Sequence, residues 1–392
     1  MKNIIAKQNL TETYHHHGRD FDFRKYKKRH IALKFLYLGW DYHGYVVQED
    51  TTKTIEHYLF DALVRTKLIV NRESSNYHRC GRTDKGVSAF SQVISIDVRS
   101  NLTDGRGIFI PADYIGNDRG HTEEINYCSI LNKVLPPEIK CISWAPVDID
   151  FSARFDCTKR TYKYFFPRGT LNLDKMLEAA KLLIGSHDFR NLCKMDVKNG
   201  VTNFIRRLES VELSLIPSNS SNTEAGYEIV ELTINGNAFL WHQIRCIVAV
   251  LVLIGEGKES PGLISELLDI EANPRKPQYH MASELPLCLF DSQYDVEKLM
   301  KWELDDECLV SLTTHLQSLW ACSAIKTAMI KSMLFNLPRQ EICSDVQNQH
   351  NLLSIDDKAK VHKPLFDRQL CGKYLIVVLT TSTNSVLFCR KS

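Results

Sequence analysis

Residues 78–98 run from a turn flanked by cations into a strand, and they constrain the fold more than any other stretch. Ile94, Ile96 and Val98 fall on one side of an extended segment, with Val93, Ser95 and Asp97 on the other. That period of two is the mark of a strand. Just upstream, Thr83-Asp84-Lys85-Gly86 has turn chemistry, because Asp can bond nearby backbone and Gly can take φ > 0. An acid is therefore held on a tight loop at the mouth of a sheet, with Arg79, Arg82 and Lys85 within a few residues. Such a turn is ordinarily only a polar hairpin tip. The same cations would also keep the Asp84 carboxylate ionised, able to act as a nucleophile or base. Local spacing does not separate the two readings.

The 392 residues allow two or three domains with ordinary cores. An apolar content of 44% and a charged content of 24% are those of a soluble globular protein. A net charge of +2 means that any nucleic-acid surface must be a local patch. The 12 cysteines include no Cys-x-x-Cys pair, which argues against a zinc ribbon or a redox motif; reduced, largely buried thiols in an intracellular protein are expected. No Rossmann glycine pattern or P-loop follows any strand, so no cofactor and no metal are expected. The first residues lack an apolar h-region, and no secretory signal is expected. The longest apolar run, Cys246 to Ile254, is far short of the about 20 residues of a membrane span and reads as a buried helix.

Residues 1–28 read as a polar and basic extension. His15, His16 and His17 lack companions that would complete a metal site, and the tract reads as a solvated tail. The cluster Arg24-Lys25-Tyr26-Lys27-Lys28-Arg29 fits phosphate contact, a nuclear import signal or a soluble linker equally well. Residues 29–148 read as an α/β unit. It has a strand over Ile31 to Leu38, a loop Gly39-Trp40-Asp41-Tyr42-His43-Gly44, a helix capped by Thr54, and the Asp84 loop with its strand. Residues Asn101 to Thr122 show no period and read as a surface insertion. A short helix near Ile125 to Leu135 and a strand near Cys141 to Trp144 complete the unit.

Residues 149–297 read as a second unit. Arg160, Tyr162 and Tyr164 share one strand face, fit either for stacking bases and holding phosphate or for cross-strand packing. A helix over Leu173 to Ile184 has Asn172 as N-cap and Gly185 as its stop. His187 and Asp188 read as residues that fix the following loop rather than as a catalytic dyad. Strands near Arg207 to Leu215 and Ile229 to Ile234 flank a Ser/Asn-rich loop, Ser218 to Thr223. Arg245 heads the apolar helix, where an unpaired guanidinium would be costly, so it requires an anionic partner. Ser260-Pro261 opens a further helix and Leu287 to Phe290 a final strand. Residues 298–392 form a C-terminal extension, mostly helical or loose, with strand segments at Tyr374 to Thr380 and Val386 to Cys389.

Gly81-Arg82-Thr83-Asp84-Lys85-Gly86-Val87-Ser88-Ala89 resembles the active-site motif of TruA-type tRNA pseudouridine synthases. The longer string from Ser75-Asn76-Tyr77-His78-Arg79-Cys80 onward is similar to the eukaryotic tRNA pseudouridine(38/39) synthase branch, and the resemblance runs from about His30 to about Asp291. It implies an α+β fold: two similar α/β domains with mainly antiparallel sheets packed side by side around a basic catalytic cleft. It also implies a homodimer acting on tRNA, with no membrane association. The reaction implied is isomerisation of uridine to pseudouridine in the anticodon stem-loop. Asp84 is implied as nucleophile, Arg245 as its salt-bridge partner and Tyr162 as an active-site residue. Arg82, Lys85 and Arg160 are expected on the RNA, alongside Tyr162. The alternatives are a relative acting on other RNA uridines and an inactive RNA-binding protein. Nucleus and cytoplasm are both compatible with the basic leader.

Overall fold

The computed structural model describes residues 21–116, 122–195, 201–217, 226–299, 301–337, 362–371, 374–381 and 384–391, the last two ranges by backbone alone. His15 to His17 and Ser218 to Thr223 lie outside the described residues. In the first half, β1 (Lys27–Tyr37) is followed by α1 (Ile55–Arg65), β2 (His78–Arg79), β3 (Ser88–Ser100), β4 (Ile108–Phe109), α2 (Tyr127–Asn132) and β5 (Ile139–Pro146). The second half runs β6 (Cys157–Pro167), α3 (Leu173–Lys181), β7 (Gly185–Asp188), β8 (Ile205–Leu215), β9 (Ile229–Gly236), α4 (Gln243–Gly255), α5 (Leu263–Leu268) and β10 (Leu287–Tyr294). A long helix α6 (Asp306–Phe335) and a hairpin of β11 (Tyr374–Thr381) and β12 (Asn384–Lys391) follow.

One mixed α/β architecture results, built on a ten-stranded sheet in the order β4-β1-β3-β10-β6-β9-β8-β7, with β2 added on β3 and β5 on β1. The pairs are antiparallel except where β10 meets β3, Cys288 opposite Ser88 and Leu289 opposite Ala89. That short parallel seam joins the strands of the first half to those of the second. It also sets the start of β3, directly after the Asp84 turn, at the middle of the sheet.

The alternation read in β3 is real, but its second face is not solvent. Ile94, Ile96 and Val98 pack with Ile31, Leu33, Phe35 and Tyr37 of β1 beneath α1. Val93 and Ala32 face a smaller cluster with Phe151, Ala153 and Leu299. A larger core surrounds α4, in which every residue but Leu253 is buried. Each fully buried Val, Leu or Ile there contributes about 1.5–3 kcal/mol by leaving water, so this helix anchors the second half.

Three elements differ from the sequence reading. The strand expected to start at Ile31 begins at Lys27, because Arg29 is buried against Trp144 and paired with Glu124 at 2.9 Å. Part of the basic cluster is therefore structural. The segment expected to be an insertion without period supplies β4, an edge strand on β1. Thr54 precedes α1 as expected, but its hydroxyl makes no capping bond.

Candidate active site

Asp84 lies at the first position of a tight turn closed by Val87 N–H donating to the Asp84 carbonyl at 3.2 Å. Gly86, with φ +79°, supplies the left-handed residue, and a Cβ there would meet Glu284 Cγ at 2.7 Å. The loop is tied down from four directions. Gln92 Nε2 on β3 donates to the Gly81 carbonyl at 3.0 Å, and Arg160 Nη2 on β6 donates to the Cys80 carbonyl at 2.9 Å. The Tyr37 hydroxyl on β1 and Thr83 Oγ1 share a 2.7 Å hydrogen bond. From the 39–45 loop, Tyr45 N–H donates to the Thr83 carbonyl at 3.1 Å, and Tyr42 accepts from Gly86 N–H at 3.1 Å. Gly39 permits this approach: a Cβ there would lie 2.0 Å from the Val87 carbonyl oxygen. The glycine- and tyrosine-containing loop thus cradles the acid.

The carboxylate is met by the two residues that precede α4. Trp241 Nε1–H donates to Oδ1 at 3.1 Å, and His242 Nε2 lies 3.2 Å from Oδ2. Asp84 keeps 30% of its side chain exposed, so it remains open to a ligand. His242 has φ 58° and ψ 14°, a left-handed backbone that costs a residue with a Cβ about 1–3 kcal/mol. The Lys194 ammonium lies 4.5 Å from the centre of the Trp241 ring.

Arg245 and Asp84 line the same cavity but do not form the expected salt bridge. A buried guanidinium does need an anion, and it finds Glu284, with Nη2 to Oε2 at 2.8 Å, while Nε–H donates to the Ala282 carbonyl at 2.7 Å. Both partners lie on the segment leading into β10, which crosses beside the turn at Gly86. Nothing local in the sequence picks out Glu284; only the requirement that Arg245 be neutralised points to an acid.

Asp84 opens onto a cavity of 870 Å³, within the about 300–1,000 Å³ of ordinary ligand sites. Six arginines and lysines line it (79, 82, 154, 194, 206 and 245) against a single carboxylate, that of Asp84. Aromatic rings share the wall: Tyr162, Phe239, Trp241, Phe204 and Phe155, the last 74% exposed at the rim. Tyr162 is set edge-on to Phe239, with centroids 5.1 Å apart, and burial pushes its phenol well above the usual value, with Cys80 and Asp84 adding to the shift. Its strand neighbour Tyr164 is instead fully buried, its hydroxyl donating to the Ser283 carbonyl at 2.9 Å.

Arg82 is exposed on the rim between this cavity and a second one of 590 Å³, which Lys85 lines. Arg160, expected on the RNA, is bonded within the protein. Its guanidinium donates to the carbonyls of Asn237 at 2.5 Å, Cys80 at 2.9 Å and Arg154 at 3.2 Å, and it does not line the cavity. Arg79 faces the cavity but is paired with buried Glu56 at 2.9 Å. His187 and Asp188 hold their own loop, bonded to the Ile184 carbonyl and to Arg190, as the sequence suggested. Sequence reasoning missed Trp241, His242, Glu284 and Phe155; the first two directly precede the apolar helix, where no local pattern marks them. Among the described residues, no group of three or more His, Cys, Asp or Glu is placed to hold a metal ion. No described helix is long and apolar enough to cross a membrane.

A family model described as tRNA pseudouridine synthase matches residues 179–295. The tRNA pseudouridine(38/39) synthases of Bos taurus and Homo sapiens are each 46% identical to this chain, over 375 and 374 residues. Each alignment covers 90% of this chain and 76% of the relative. The Mus musculus protein of the same name is 44% identical over 377 residues, with the same coverage. The chain belongs to the TruA-type tRNA pseudouridine synthase family. Within it, these relatives place the chain in the tRNA pseudouridine(38/39) synthase branch.

Proposed function

We propose that the protein isomerises uridine to pseudouridine at positions 38 and 39 of the tRNA anticodon stem-loop, with Asp84 as nucleophile. The observation that carries this reading is a single carboxylate on a rigid turn, in a cavity whose other charged groups are all cations. The uracil is cut from its sugar at N1, turned, and rejoined through C5, with no net redox change and no group donor. The target nucleotide leaves its stack to enter the cavity. Arg82, exposed at the rim, contacts the extruded nucleotide or its backbone. Lys85, with Lys194 and Arg154 of the wall, holds phosphate. Tyr162 stacks on the base and handles the proton at C5. Arg245, paired with Glu284, supplies positive potential to the cavity without touching Asp84.

In this reading residues 29–148 and 149–297 act as two units of similar plan, flanking a basic cleft at the β3–β10 seam. Separate cores around α1 and α4 support that division. The working form is a homodimer. In α6 only Leu312 is buried, while Trp320, Ile325, Ile330 and Met333 are more than half exposed, which favours a second copy as cover. The experiment is pseudouridine mapping on unmodified tRNAs with a single uridine, placed at 38, at 39 or elsewhere in the anticodon arm. Conversion at 38 or 39 alone is expected; conversion only at other positions would move the protein to a different substrate class.

A further inference from the structure

We infer that His242, with Trp241, is a positioning residue that orients the Asp84 carboxylate for attack. The inference rests on the synthase reading given above. Three observations converge on it. His242 Nε2 lies 3.2 Å from Asp84 Oδ2 while Trp241 Nε1–H donates to Oδ1 at 3.1 Å, so adjacent residues address the two oxygens separately. His242 adopts φ 58° and ψ 14°, a left-handed conformation uncommon outside glycine and entered mainly by Asn, Asp and His. Only 9% of its side chain is exposed, and its buried Nδ1 meets no hydrogen-bond partner in the protein.

A residue retained for packing alone has no need of this φ, which glycine adopts without strain, nor of a ring nitrogen left orphaned. The backbone strain instead turns the imidazole toward Asp84. Gln243 holds the turn that does this, its Oε1 accepting from Leu240 N–H at 2.8 Å and its own N–H donating to the Leu240 carbonyl at 3.1 Å. Trp241 packs on the imidazole with ring centroids 4.7 Å apart, so each ring restricts the rotation of the other. At 3.2 Å a ring lone pair would be repelled by the carboxylate, which favours a proton on Nε2. The pair thereby fixes the rotation of the carboxylate, leaving its exposed edge for the nucleotide. Arg245 is bonded instead to Glu284 and the Ala282 carbonyl.

The test compares His242→Gly, His242→Asn and Trp241→Phe in the full chain. His242→Gly relieves the backbone and removes the ring. It is expected to raise or preserve the melting temperature, keep tRNA affinity within twofold, and lower the single-turnover rate by 10-fold to 100-fold. His242→Asn, which tolerates the left-handed region and keeps an N–H donor, is expected to recover most of that loss. Trp241→Phe is expected to lose several-fold in rate at unchanged affinity. Full single-turnover activity in His242→Gly would overturn the inference, as would a fall in melting temperature that alone accounts for the lost activity. A readout independent of turnover is the imidazole ¹⁵N spectrum of the tRNA-free protein. It should show an Nε2–H tautomer whose signals move in Asp84→Ala, and signals blind to that change would overturn the inference. An inactive wild type that still shows this coupling would overturn the functional reading while upholding the role of His242.

Discussion

At the scale of single residues, the site separates groups that act from groups that hold. Arg160 belongs to the second kind. Arg160→Met leaves three carbonyls without their donor, one of them on the loop that carries Asp84. The expected cost is about 1–3 kcal/mol of stability together with a loss of rate, at nearly unchanged tRNA affinity. Chemical denaturation and filter binding check this; weakened binding at full stability would return Arg160 to the RNA surface. In the proposed mechanism Tyr162 belongs to the first kind. Burial raises its phenol pKa, so it stays protonated through the neutral range and takes the C5 proton only by passing its own proton on, as a relay. Tyr162→Phe is expected to lose about 100-fold in rate with binding intact, measured by single-turnover assay, and full activity would remove the phenol from the chemistry. Asp84 and Tyr162 could be found in the sequence because a family resemblance singled each out where local spacing left two readings open. The partner of Arg245 could not. Which acid reaches a buried guanidinium depends on where residues 282–284 cross the sheet, a tertiary fact with no local signature.

At the scale of elements, β3 and β10 carry the arrangement. Both halves were legible as alternating strands and periodic helices, and α4 announced its burial through an apolar run with no polar face. What periodicity could not give was the parallel pairing of β10 on β3, because parallel partners distant in sequence share no turn. Nor could it place β4, since two residues are too few to show a period. The seam makes a testable demand. Leu289 lies on β10 of the second half yet is fully buried in the core of the first. Leu289→Ala is expected to cost about 3 kcal/mol, within the range for emptied leucine sites, and to lower the urea midpoint accordingly. A cost below about 0.5 kcal/mol, the level of an ordinary surface substitution, would mean that the seam contributes little.

At the scale of the whole molecule, one sheet runs across both halves, and the Asp84 turn sits where their strands meet. The interior is rich in tyrosine, and burial raises the phenols of Tyr37, Tyr45, Tyr77, Tyr127, Tyr279 and Tyr294 well above their usual value. Their neutral forms are favoured by the fold, so this stabilisation is complete below the unfolded phenol pKa of about 10 and is lost as pH rises above it. Above that pH the folded state binds more protons than the unfolded one, and stability must fall as pH increases. Urea midpoints at pH 8 and pH 10.5 check this, and an unchanged midpoint would mean that the tyrosines are not sealed. The central claim, that the lone carboxylate of a cationic cavity performs the chemistry, is tested most directly by comparing wild type with Asp84→Ala on unmodified tRNA. Pseudouridine at 38 or 39 and tRNA affinity are measured together. The expected result is product with wild type and none with the variant, at affinities within about tenfold, or about 1.4 kcal/mol, because binding rests on many phosphate contacts. Product formation by Asp84→Ala, or its loss only together with binding, would contradict the account.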